Sequence, residues 1–223
     1  MKGVLATRFT QACRWGGIAA LGVGYAVLSH LAAASATPGL LEALVAVLPL
    51  LGLAFVLAWR SPQRTTMLAL CGVACFGFYI ARQWLITHYN WVFLLQHAGM
   101  YALLCGTFGR TLVQGQTPMI SQFARIVHGE LSPALVSYTR SVTWAWALYF
   151  GSVAGLSLLL FWLAPVYVWS TFANLLGMPL LGLMFAGEYL VRCHTLPVED
   201  RAGPLESIRA YRQASAENRA RRP

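Results

Sequence analysis

Two polar residues in the middle of an apolar segment are the first place where this sequence could do chemistry. Gln96 and His97 are adjacent, and Tyr101 follows His97 by four residues, so the imidazole and the phenol would share one helix face. An ionisable group inside hydrocarbon is unfavourable unless it is paired, which makes His97 a candidate for proton transfer or for the polar lining of a cavity. A hydrogen bond across a helix bundle is the competing, purely structural interpretation.

A second candidate lies near the end of the last apolar segment. Glu188 precedes Arg192 by four residues, the favourable order for an ion pair within one helix. The same side of the membrane is predicted to carry three further arginines, Arg110, Arg125 and Arg140. A carboxylate surrounded by arginines could bind an anionic head group or a phosphate, although arginines at inner helix ends are first of all topology signals.

Signatures of catalytic and metal sites are missing from the sequence. Cys71 and Cys75 share a helix face, but no further ligands at zinc or haem spacing accompany them. The five cysteines are odd in number and are predicted to be small buried hydrophobes. Phosphate-binding glycine loops and the common hydrolase motifs are also missing. We therefore expect no metal and no cofactor, and we assign no catalytic residue.

Composition shows what must position these residues. The chain has 223 residues, of which 58% are hydrophobic and only 10% are charged. The apolar residues form blocks of about 20, the length needed to cross a bilayer as a helix. The formal net charge of +9 comes almost entirely from arginines at block ends and in the last residues, without a nucleic-acid motif. We therefore predict membrane lipids as partners and no nucleic acid.

The blocks predict an all-α polytopic bundle of about six transmembrane helices in residues 1–195, followed by a basic cytoplasmic tail, 196–223. The predicted spans are residues 15–34, 40–59, 66–86, 92–112, 142–163 and 168–190. A tight outer loop is expected at residues 89–91. Apolar residues at helical spacing from Met119 to Val127 predict an amphipathic helix on the cytoplasmic face, between the fourth and fifth spans.

Charge asymmetry predicts the orientation. If the N-terminus is cytoplasmic, fifteen of the 16 basic residues are on the cytoplasmic side and only Arg82 is outside. Both ends of the chain are therefore expected inside the cell.

Two segments resemble a known family. The segments are 130–146, ELSPALVSYTRSVTWAW, and 184–192, MFAGEYLVR. They are similar to bacterial inner-membrane proteins encoded among acyl carrier proteins, ketosynthases and acyl-activating enzymes in aryl-polyene and xanthomonadin-like pigment clusters. The resemblance covers roughly residues 92–212, including Gln96 and His97. It implies a role in assembling, attaching or exporting an acyl chain made on a carrier protein.

Three functional hypotheses follow. The first is an accessory component that docks an acyl carrier protein or its acyl product at the membrane, attracted by the basic inner face, to which Arg209 of the tail would add. The second is a small lipid transporter or flippase lined by Gln96, His97 and Tyr101. The third is an acyl- or glycosyl-transferring enzyme with His97 or Glu188 as its base.

Overall fold

The computed structural model describes residues 2–35 and 39–196, with side chains from Arg14 onward except those of residues 127 and 128. Within these ranges the chain is helical and contains no strand, which confirms the all-α prediction. The predicted basic tail lies outside the described residues, apart from Leu196, as does Arg209.

The helices follow one another with short connections. In chain order they are α1 (Lys2–Ala33), α2 (Leu40–Arg60), α3 (Arg64–Ile80), α4 (Arg82–Arg110), α5 (Met119–His128), α6 (Pro133–Leu163), α7 (Val166–Ser170), a π-helical turn (Thr171–Leu176) and α8 (Gly177–Thr195).

Among the described residues, five stretches of helix are long and apolar enough to cross a membrane. They are Arg14–Ala33, Leu40–Arg60, Arg82–Arg110, Pro133–Leu163 and Val166–Thr195. Most large apolar side chains on them are exposed, as in a protein whose solvent is lipid. The chain therefore has the build of a multi-pass membrane protein.

The third predicted span differs from the structure. The helix there, α3, is only 17 residues long and ends at Ile80, and α4 begins at Arg82. The loop expected at residues 89–91 is helical, and the chain bends instead at His88, where φ is −124° and ψ is 18°. The His88 ring stacks on Trp84 at 4.7 Å and its Nδ1 lies 3.0 Å from the Trp84 carbonyl, so side chains stabilise the bend.

Helix α5 forms where an amphipathic helix was predicted. Two of its apolar residues, Phe123 and Ile126, are exposed. Ser121 is buried, and its hydroxyl lies 2.6 Å from that of Thr139 on α6. This hydroxyl pair, which apolar periodicity does not detect, marks the side of α5 that meets α6.

The described residues form two compact units. The first contains residues up to His97 and Ser157–Gly177, and the second contains Ala98–Leu156 and residues from Met178 onward. In the first unit, α2 packs against α1 and α3, and α1 packs against α7 and the π-helical turn. The core of the second unit is aromatic and centres on Val142, Trp146 and Phe150 of α6.

Pro49 in the middle of α2 explains a contact between helices of the first unit. Proline has no amide hydrogen, so the carbonyl of Val45, four residues earlier, loses its helical partner. The Tyr25 hydroxyl of α1 donates to that carbonyl at 3.3 Å. The neighbouring carbonyl of Ala46 accepts from Gln96 Nε2 of α4 at 2.6 Å. Side chains of two other helices thus satisfy the backbone around the proline, as an apolar solvent requires.

This arrangement predicts that the effect of Tyr25→Phe depends on Pro49. In the natural sequence, loss of the hydroxyl strips the Val45 carbonyl of its donor, and the free energy of unfolding should fall by about 1 kcal/mol. In a Pro49→Ala background, the new amide hydrogen serves that carbonyl, and Tyr25→Phe should be nearly neutral. Thermal unfolding in detergent measures both differences, and equal effects in the two backgrounds would contradict the assignment.

Candidate functional site

His97 is held by a neighbouring helix within the first unit. Its Nδ1 lies 3.0 Å from the hydroxyl oxygen of Ser157 on α6, and its ring meets that of Phe172 edge to face at 5.8 Å. Ser157 is 0% exposed. The imidazole is therefore part of an interhelical hydrogen bond in a packed region.

Ser157 also accepts a hydrogen bond from Trp169. The indole Nε1 donates to its hydroxyl oxygen at 3.0 Å, and Trp169 itself is 0% exposed. A serine hydroxyl has one proton and two lone pairs, so it can serve an indole donor and an imidazole nitrogen at once. This single oxygen joins α4, α6 and α7.

A second serine–histidine pair occurs in the same unit. His30 Nδ1 lies 2.8 Å from the hydroxyl oxygen of Ser170, which also accepts from Asn174 Nδ2 at 3.2 Å. Ser170, like Ser157, is completely buried. Serine beside histidine is the arrangement of an activated nucleophile, but a nucleophile must be reachable by its substrate. Both pairs therefore fit interhelical bonds better than acyl transfer.

Tyr101 belongs to the second unit and packs among aromatic rings. Its ring lies 6.4 Å from Tyr149 and 6.1 Å from Phe150, centroid to centroid, beside the aromatic core. Gln96 and His97 make their interhelical bonds in the first unit, and Tyr101 packs into the core of the second.

Glu188 and Arg192 form an ion pair on α8. Arg192 Nε and Nη2 lie 3.0 and 2.7 Å from Glu188 Oε1, and Nη2 lies 2.9 Å from Oε2. The Glu188 side chain is only 9% exposed, against 23% for Arg192. Tyr138 of α6 donates its hydroxyl to Oε1 at 2.9 Å. Sequence spacing indicates the ion pair, whereas Tyr138, 50 residues away, is a partner that spacing cannot supply.

The three other arginines of the predicted basic cluster have different surroundings. Arg140 Nη2 donates to the carbonyl of Leu112, just beyond the end of α4, at 3.1 Å. Arg110 and Arg125 are exposed. Arg192 and Tyr138 are the residues whose side chains bind the Glu188 carboxylate in the described part of the chain.

A groove between α6 and α8 lies beside this ion pair, entirely within the second unit. Its volume is about 640 Å³. One wall consists of small residues of α6: Ala134, Ser137, Ser141 and Ala145. The other wall includes Leu183, Gly187 and Val191 of α8. Glu188 and Tyr138 lie between the two ends of the groove, since lining residues precede and follow each of them along the chain, and they form its polar site. Most residues that line this groove were not among the predicted site residues. The four-residue spacing of small residues on α6 is the sequence signal that could have indicated the groove.

Metal ligands are not grouped in the described part of the chain. No cluster of three or more His, Cys, Asp or Glu side chains that could hold an ion occurs there. Cys71, Cys75, Cys105 and Cys193 are free thiols, and Cys75 is exposed, whereas burial had been predicted.

Comparison with protein-family models, with curated proteins and with solved structures found no match. The functional argument therefore depends on the chain's own geometry.

The shared hydroxyl predicts that Ser157→Ala destabilises the protein. Both His97 and Trp169 lose a buried partner, and the free energy of unfolding should fall by about 1–3 kcal/mol. Ser152→Ala, at an exposed serine of the same helix, is the matched control and should change stability little. Thermal unfolding in detergent compares the two, and equal melting temperatures would remove Ser157 as a structural centre.

The ion pair predicts coupling between Glu188 and Arg192. Either Glu188→Gln or Arg192→Gln leaves a largely buried partner without its counter-charge, so each should lower the free energy of unfolding by about 1–3 kcal/mol. The double variant should lose less than the sum of the two, by about 1 kcal/mol. Glu130→Gln, at an exposed carboxylate, is the control. Strict additivity in the unfolding cycle would show that the two side chains are independent.

Proposed function

We propose that this chain is an accessory, non-catalytic protein of the bacterial inner membrane that holds the acyl product of a carrier-protein-dependent lipid pathway. The pathway would be of the aryl-polyene or xanthomonadin type, and both chain ends would face the cytoplasm. The observation that carries the proposal is the groove of about 640 Å³ between α6 and α8.

The dimensions of the groove suit one acyl chain. The residues of α8 that line it run from Leu183 to Thr195, which corresponds to roughly 18 Å at the rise of an α-helix. Ligand pockets of several hundred Å³ typically combine apolar walls with a few polar groups. Here the Glu188 carboxylate and the Tyr138 hydroxyl form the polar site, so an amphiphile would have its head group beside Glu188 and its tail along the wall toward Leu183.

Exposed arginines support a carrier protein as the partner that delivers the chain. Arg110 lies two residues before Leu112, and the Leu112 carbonyl accepts a hydrogen bond from Arg140. Arg192 binds the Glu188 carboxylate, which also accepts a hydrogen bond from Tyr138. Arg140 is two residues from Tyr138 along α6, so its bond to Leu112 brings the C-terminal end of α4 near the part of α6 that contacts Glu188. Acyl carrier proteins are acidic, and a surface with these arginines would attract one by charge.

The contacts of the histidine and the glutamate favour an accessory role over the two alternatives. A flippase lined by His97 would need that imidazole to face a passage, but it is bonded to the buried Ser157. An enzyme using Glu188 as base would need this carboxylate to take up a proton, and that would remove the counter-charge of Arg192, which binds both carboxylate oxygens. The described contacts of His97 and Glu188 therefore give specific support neither to a flippase nor to an enzyme.

Filling the groove should abolish the function. A Cβ added at Gly187 meets no atom within 4 Å, so Gly187→Phe can enter the groove without displacing the backbone. Gly182, another exposed glycine of α8 with the same open space, lies outside the groove, and Gly182→Phe is the matched control. In a host lacking the gene, we expect the control to restore the acyl product to the level of the natural chain and Gly187→Phe to reduce it about tenfold or more.

Mass spectrometry of extracted lipids and pigments measures this outcome, with immunoblots of the membrane fraction confirming equal protein levels. His97→Ala should restore the product wherever the protein accumulates. Full restoration by Gly187→Phe would show that the groove is not used, and no product change on gene deletion would remove the pathway assignment.

A further inference from the structure

The polar site of the groove, Glu188 and Tyr138, has an uneven distribution of hydrogen bonds, and this unevenness bears on what the groove binds. Glu188 Oε1 receives three donors, from Arg192 Nε, Arg192 Nη2 and the Tyr138 hydroxyl. Oε2 receives one, from Arg192 Nη2 at 2.9 Å. A carboxylate has about four lone-pair positions over its two oxygens, so Oε2 keeps acceptor capacity beside the groove.

The hydroxyl groups of the groove have the same acceptor character. Four lining residues carry a hydroxyl, and three of these donate their proton to the protein: Tyr138 to Glu188, Ser141 to the Ser137 carbonyl, and Thr195 to the Val191 carbonyl. A hydroxyl that has donated its one proton can still accept through its oxygen. The polar groups of the groove therefore offer mainly acceptors.

An anionic head group is a poor match for these acceptors. A sulfonate or an ionised carboxylate has no proton to donate, so it can form no hydrogen bond with Glu188 Oε2 or with the oxygens of these hydroxyl groups. Arg192 already directs Nε and Nη2 to Glu188. An uncharged hydroxyl, in contrast, can donate its proton to Oε2.

We propose, on the basis of the function proposed above, that the groove between α6 and α8 selects an amphiphile whose head group is an uncharged hydrogen-bond donor, such as a hydroxyl. The donor binds at Glu188 Oε2, and the apolar chain extends along Gly187 and Leu183. Chains ending in a carboxylate, sulfonate or phosphate are disfavoured. The site thus discriminates a finished, hydroxyl-bearing lipid from a free acid.

Three probes with the same chain test this selection. Hexadecanol offers a donor, hexadecyl methyl ether offers none, and hexadecanesulfonate is anionic at every working pH. Equilibrium binding of each tritiated probe to the full-length protein in detergent is measured at neutral pH. We expect hexadecanol to bind most tightly, the ether more weakly, and the sulfonate about tenfold more weakly than the alcohol.

Glu188→Gln separates charge from shape. It keeps the size of the side chain but leaves Arg192 without its counter-charge, so the sulfonate should gain affinity and the preference for the alcohol should shrink or reverse. A preference for hexadecanol over the sulfonate that survives Glu188→Gln unchanged would overturn the proposal, and so would equal binding of hexadecanol and its methyl ether to the natural chain.

Gly187→Phe distinguishes failure of the selection from failure of the groove. If it weakens all three probes while Gly182→Phe does not, the chains bind in the groove and the ranking tests the head group alone. If none of the probes depends on Gly187, the groove is not an acyl site and the function proposed above fails as well. Conversion of a dimer to a monomer by Gly187→Phe, without loss of probe binding, would assign the groove to a second copy of the chain and overturn both proposals.

Discussion

The absence of water around the spans is the constraint on which the rest of this structure depends. In hydrocarbon, every backbone carbonyl and amide needs a partner within the protein, and the helix supplies nearly all of them. Pro49 creates the exception in α2. The hydroxyl of Tyr25 donates to the Val45 carbonyl, and the amide of Gln96 donates to the Ala46 carbonyl. The approach of α1 and α4 to α2 is thereby fixed by hydrogen bonds at one place, where apolar contacts alone would allow sliding.

The same constraint separates polar residues that hold helices together from those that can serve a ligand. His97, His30 and their serine partners look like catalytic pairs by residue type, but each serine oxygen is completely buried and already bonded. Glu188 differs because it is bound by Arg192 and Tyr138 and also lines a groove. Exposure to a space that a ligand can enter, more than residue type, distinguishes a binding group here.

Sequence patterns predicted the features of this fold that depend on local physics. The apolar blocks indicated the long helices, and the four-residue spacing of Glu188 and Arg192 matches their ion pair. The partners of Glu188 and His97 on α6 lie 50 and 60 residues away, and no periodicity encodes such pairings. The end of α3 at Ile80 and the bend at His88 were also not predicted. The bend depends on the His88 ring stacking on Trp84, which composition does not reveal.

The groove between α6 and α8 can persist because its surroundings are lipid. In a water-soluble protein, an apolar gap of this size would lose packing contacts without compensation. Next to a bilayer, a hydrocarbon chain can fill the gap, so small residues such as Ser141, Ala145 and Gly187 are tolerated along it. The apolar walls then discriminate poorly between different acyl chains, since any of these chains packs against the walls about equally well. In the proposed binding mode, selectivity therefore comes from the few polar atoms around Glu188, where the direction of a hydrogen bond differs between one head group and another.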